Sequence, residues 1–167
     1  MRLDDFRVAV RAGDGLVARF ASALLVVNGA GWDGNEVVGR LVEECRAAGG
    51  PGSAARLRQV VTDAGTAAVP AFSAVLDSGD GLAVFVHGAA RVSISGGQPE
   101  VALGDQAAGS WGAHIHDRVA SLVMGAPDAG AEGPAVSWLD LREGVVAGSG
   151  AALVAAGAPV PGAGAEA

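Results

Sequence analysis

The stretch that most constrains this fold runs from Ala71 to Gly97, AFSAVLDS-GDG-LAVFVHG-AA-RVSISGG. Leu82, Val84 and Val86 fall on one face of an extended chain, and Ala83, Phe85 and His87 fall on the other. That period of two is the signature of a strand, not a helix. In the next arm Val92 and Ile94 alternate with Arg91, Ser93 and Ser95, giving one dry side and one wet side. Ser78-Gly79-Asp80-Gly81 and Gly96-Gly97 are turn clusters that bound the arms. The whole reads as an antiparallel meander with a polar turn at His87-Gly88-Ala89-Ala90-Arg91.

The rest of the chain supplies partners for such a sheet. Phe6, Val8 and Val10 alternate with Arg7, Ala9 and Arg11; Gly13-Asp14-Gly15 turns the chain into a second strand from Leu16 to Phe20. Ser22 to Val27 is a third, and its consecutive Leu24, Leu25, Val26 and Val27 demand burial on both faces. Asp33 and Glu36 have capping-box spacing ahead of Val37, Val38, Leu41, Val42 and Cys45, which share a helical face. Gly49-Gly50-Pro51 stops that helix. Ser53 is placed to cap a second, with inner face Leu57, Val60, Val61 and Ala64 and a stop at Gly65; Arg56 and Arg58 point outward. Further strands are expected at Val101 to Leu103, His114 to Val119, Ala120 to Met124, Val136 to Leu141 and Ala151 to Val154. Asp128 to Pro134 reads as a loop, and Gly144 to Gly150 as a separator. Three strands, two helices and many strands make an α+β fold in which antiparallel, sandwich-like sheet predominates and both helices cover one face. Residues 1–156 form that domain, and 157–167 have linker composition.

Charge excludes some functions. With a net charge of −7 and 11 basic residues, every one an arginine, the chain lacks the basic face that nucleic acid or an anionic membrane requires. The missing lysine and tyrosine, with abundant Ala, Gly and Val, fit a high-GC coding bias such as that of actinobacteria. A single cysteine, Cys45, rules out an internal disulfide and suits a reducing, cytoplasmic compartment. The acidic start Met1-Arg2-Leu3-Asp4-Asp5 is unlike a signal peptide. Gly144 to Ala165 is uncharged and long enough to span a bilayer. Its Gly, Ala and Pro content gives little drive for insertion, so it reads as one strand followed by a linker.

Several motifs touch on chemistry. Gly29-Ala30-Gly31-Trp32-Asp33-Gly34 matches G-x-G-x-x-G between a buried strand and a helix, the context of a dinucleotide loop. The chain lacks the further strand–helix units of such a domain, which leaves dinucleotide binding through Gly29, Gly31 and Gly34 as an alternative. His114 and His116 have the spacing of metal ligands on a strand. A cupin-like site would also want a glycine and a glutamate where Ala108 and Ala120-Ser121 stand, so two solvent-facing polar residues is the plainer reading. Cys45 on an inner helix face reads as an inert thiol. No G-x-S-x-G elbow is present, and the scattered Trp32, Trp111 and Trp138 read as core. No cofactor is expected.

Taken in order, these pieces resemble the metal-dependent serine/threonine protein phosphatases of the PPM, or type 2C, family. A buried strand enters two helices through Val27-Asn28-Gly29-Ala30-Gly31, where that family has Asp-Gly-x-Gly-Gly. Gly65-Thr66-Ala67 stands for Gly-Thr-Thr, and Gly88-Ala89-Ala90-Arg91 for Gly-Asp-Ser-Arg. The resemblance covers about residues 10 to 100, and Gly29, Gly31, Gly65, Thr66, Gly88 and Arg91 agree in kind. It implies a pair of divalent ions held by carboxylates, yet Asn28 and Ala89 occupy two ligand positions, and Phe20-Ala21-Ser22 stands where an Asn-Glu-Asp is expected. The resemblance therefore implies the fold without its metals: a phosphatase-like interaction or regulatory domain in cytoplasmic serine/threonine phosphosignalling. It would bind a protein partner through Asn28, Gly29, Gly31, His87, Gly88 and Arg91.

Gly15-Leu16-Val17-Ala18-Arg19-Phe20, Pro70-Ala71-Phe72, Gly81 to Arg91 and Leu139 to Val146 also resemble the amino-terminal region of actinobacterial proteins that continue into a forkhead-associated domain. That implies a linker from Gly157 onward and a phosphothreonine-binding module beyond it. The alternatives are a divergent metal phosphatase, the dinucleotide reading, and a structural domain whose turns only connect strands.

Overall fold

A computed structural model describes residues 1–96, 101–103, 110–115, 119–125 and 138–158. Its strands are β1 (Phe6–Arg11), β2 (Leu16–Phe20), β3 (Ala23–Val27), β4 (Phe72–Asp77), β5 (Leu82–His87), β6 (Arg91–Ser95), β7 (Val101–Leu103), β8 (Ser110–Ile115), β9 (Ser121–Gly125), β10 (Trp138–Asp140), β11 (Gly144–Ala147) and β12 (Gly150–Ala155). Two helices, α1 (Glu36–Arg46) and α2 (Ser53–Ala64), follow β3. The strands form two six-stranded sheets, the first ordered β10-β1-β12-β9-β6-β7 and the second β11-β2-β3-β4-β5-β8. Each described pairing is antiparallel. The architecture is the expected α+β sandwich with two helices on one face.

Alternation along each strand divides the apolar residues between two cores. Leu24, Val26, Val75, Leu82, Val84 and Val86 of the second sheet meet Val8, Val10, Val92, Leu122, Met124 and Leu153 of the first. On the other face of the second sheet, Leu25, Val27, Phe72, Ala74 and Phe85 pack against Val38, Leu41, Cys45, Leu57, Val60 and Val61 of the helices. The second sheet is thus the middle layer of three. That position explains the unbroken apolar run of β3, whose five residues are all buried.

Four details depart from the sequence reading. The stretch 71–97 is not a meander in one sheet: β5 pairs with β4 and β8, while β6 joins the other sheet between β7 and β9. The chain turns a corner at 88–90, with Gly88 at φ 66° and Ala90 buried between the sheets. Helix α1 is capped by Asn35, not by an Asp33–Glu36 box. The turn at Gly34 leaves Asn35 extended, and its Oδ1 accepts from the Val37 and Val38 amides at 3.0 and 3.3 Å. Ser53 is the first residue of α2 instead of its cap. It is buried, its Oγ bonding the Gly50 carbonyl at 3.0 Å, and Gly52 at φ 99° takes the cap position. Finally, Gly144–Ala147 is no separator but a strand on β2, so 144–155 holds two strands where one was expected.

The two helices are tied across their outer surface by Arg40–Asp63 and Arg56–Glu44 pairs at 3.3 and 3.2 Å. Both are solvated and add little to stability. No helix among the described residues is long and apolar enough to cross a membrane. The loop expected at Asp128 to Pro134, and the linker beyond Ala158, lie outside the described residues.

Candidate functional site

The segments singled out by motif meet at one end of the sandwich. β3 ends there at Val27, β4 begins there at Phe72, and β5 ends there at His87; Val27, Phe72 and His87 lie on one rung across the second sheet. The Asn28 amide extends the ladder by donating to the Ala71 carbonyl at 2.9 Å. Gly29, Gly31 and Gly34 follow at φ 81°, 89° and 73°, a left-handed backbone with open space around each. Trp32 folds this loop back, its indole Nε1 donating to the Asp14 carbonyl at 2.9 Å.

Beneath that loop two sheet-to-sheet crossings stack. The Gly148 amide donates to the Gly15 carbonyl and the Ser149 amide to the Arg11 carbonyl, both at 2.9 Å; Ser149 Oγ donates to the Ala12 carbonyl at the same distance. The packing is close enough that a Cβ on Gly15 would stand 2.3 Å from the Val27 carbonyl oxygen. Sequence reasoning reads Gly13-Asp14-Gly15 as a turn and passes over Gly148-Ser149. The only local signal for the pairing is the abundance of small residues at both corners.

The proposed surface residues share this end but not a face. His87 is only 3 % exposed; its ring stacks on Phe72 with centroids 5.6 Å apart, and Nε2 lies 3.3 Å from the Thr66 carbonyl. Alternation puts His87 with Phe85 on the helix side of the second sheet, whereas Asn28, in register with Val26, belongs to the inter-sheet side. Gly88 is half-buried and packs on Ala71, where a Cβ would approach the Ala71 Cβ to 3.2 Å. Ala89 is exposed. Arg91 is half-buried at the start of β6, opposite Gly125 of β9 in the first sheet. The solvent-facing part of the site is therefore the glycine loop 29–34 and the 88–89 corner, with His87 a packed residue behind them.

Among the described residues, the donor set at this end does not fit a two-metal carboxylate centre. Asn28 offers a neutral carboxamide oxygen, Ala89 offers none, and Asp14 and Asp33 stand on exposed turns. Hard divalent cations need several oxygen ligands, preferably charged, and among the described residues no three His, Cys, Asp or Glu gather within reach of one ion. Of the two candidate histidines, His114 lies on β8 opposite Ala83, while His116 is outside the described residues. The G-x-G-x-x-G loop follows a strand whose two neighbours are both antiparallel, so it does not open a parallel strand–helix–strand unit.

Fold and site together define the chain as a three-layer α+β sandwich with its motif loops gathered at one end. Comparison with family models, curated proteins and solved structures found no match.

Proposed function

We propose that this chain is a non-catalytic, phosphatase-like interaction domain acting in cytoplasmic serine/threonine phosphosignalling, with a protein as its partner. The observation that carries the reading is the convergence at one sandwich end of Asn28–Gly31, Gly65–Ala67 and Gly88–Arg91, three segments that resemble the phosphatase motifs. A hydrolytic centre of that kind needs charged oxygens to hold its ions and so generate the attacking hydroxide. Asn28 and Ala89 remove two of them while the glycine turns keep the loops in place. What remains is a polar backbone surface: Gly29 and Gly31 leave their peptide groups unscreened by side chains and open to a polar partner.

The test is a phosphoesterase assay with manganese or magnesium against an aryl phosphate and a phosphothreonine peptide. No turnover above the metal blank is expected. Metal-dependent turnover that Asn28→Ala abolishes would replace this reading with a divergent metal phosphatase. A calorimetric titration with NAD that releases heat would favour the dinucleotide alternative instead.

A further inference from the structure

Two buried polar atoms, on positions that alternation assigns to the inter-sheet face of the second sheet, have no hydrogen-bond partner among the described residues. Ser73, in the middle layer, is 0 % exposed, and its Oγ makes no hydrogen bond; Asn28 Oδ1 is likewise buried and unbonded. The two residues occupy neighbouring positions on the ladder. Ser73 stands opposite Val26 on β3, and Asn28 follows two residues later, its amide bound to Ala71. On an antiparallel ladder this is a diagonal pair on one face, with backbone positions about 7–8 Å apart. Phe72 and Ala74 belong to the helix-side core and Val75 to the inter-sheet core, so Ser73 points between the sheets.

Unpaired polar atoms in a dry core are costly, and native folds satisfy nearly all of them, often with an ordered water. The chemistry of the pair selects the occupant. Asn28 Oδ1 can only accept, while the Ser73 hydroxyl can donate or accept. A partner that donates to one and completes the other, within a core where Val26, Val86 and Ala90 are buried, must be small and neutral. We propose that one buried water molecule bridges Asn28 Oδ1 and Ser73 Oγ at the inter-sheet mouth, pinning the end of β3 to β4. Two neutral oxygens are too few for a divalent ion. The inference is independent of the phosphatase-like reading, since the water belongs to the packing of the two sheets whatever the surface above them binds.

A crystal structure of the full chain, at a resolution that orders solvent, is expected to show a water about 2.7–3.2 Å from both oxygens. A direct Asn28–Ser73 hydrogen bond would overturn the proposal, as would an anomalous peak there from crystals soaked in rubidium or manganese. In solution, Ser73→Ala removes one anchor of the bridge and is expected to lower the Tm by about 2–4 °C. A higher Tm, the result of deleting an unbridged hydroxyl, would count against it. The losses from Asn28→Ala and Ser73→Ala should be less than additive in the double variant because both break one bridge; strict additivity contradicts it. If a variant does not fold, magnetisation transfer from a long-lived water to the Ser73 or Asn28 amide of the unaltered protein decides, and its absence overturns the bridge.

Discussion

Cys45 shows how burial alone sets the chemistry of a residue. It sits on the inner face of α1 at 0 % exposure, and desolvation, helped by the neighbouring Glu44 charge, pushes its thiol from 9.0 up to about 12. Thiolate is the reactive form, so alkylation at pH ~8.5 should be far slower in the native protein than in denaturant. Rapid native labelling would mean that α1 is not seated as described. The sign of the pH linkage follows: the folded state prefers the thiol, so its contribution is complete below pH 9.0 and lost as pH rises toward 12. This burial was legible in the sequence from helical periodicity. The burial of His87 was less so. Alternation placed it opposite Val86 correctly, but only the structure shows that the face it occupies is roofed, with the Thr66 carbonyl 3.3 Å away. Ser73 carried no signal beyond a hydroxyl between Phe72 and Ala74.

At the scale of elements, local chemistry located nearly every strand and both helices, while their ends and partners were harder to read. The start of α1 illustrates the limit. Asp33 and Glu36 have capping-box spacing, but Gly34 bends the chain and gives the role to Asn35, whose carboxamide serves two orphan amides. Asn35→Ala should cost about 1 kcal/mol in chemical denaturation, and Asp33→Ala much less; the reverse order would restore the box. β11 was missed because Gly144–Ala147 does not alternate in burial, and three of its four residues are exposed. It is a strand only because β2, more than a hundred residues earlier, offers it a ladder. The corner at 88–90 was misread for a related reason. A hairpin and a crossing between sheets have the same alternation on either side, and nothing in Gly88-Ala89-Ala90 says which sheet the next strand joins.

Across the whole molecule, the second sheet is shared by two cores, and this couples the layers. Leu57 anchors the helix side and Leu122 the inter-sheet side, both essentially inaccessible. Leu57→Ala and Leu122→Ala should each cost about 2–5 kcal/mol and shift one common transition, seen alike by far-ultraviolet circular dichroism and tryptophan fluorescence. Separate transitions would show that the helix layer melts by itself. The layer order also decides what the candidate site can present. Alternation sends Asn28 between the sheets and His87 toward the helices, leaving the glycine backbone as the exposed part.

The sequence by itself determined the fold class, the two amphipathic helices and the doubly buried third strand. These follow from periodicity and side-chain chemistry, which act over a few residues. Only the tertiary structure decided which sheet each strand joins, that 144–147 is a strand, and which motif side chains share a face. Those choices depend on contacts between residues far apart along the chain, whose favourable energy appears only once both partners are in place.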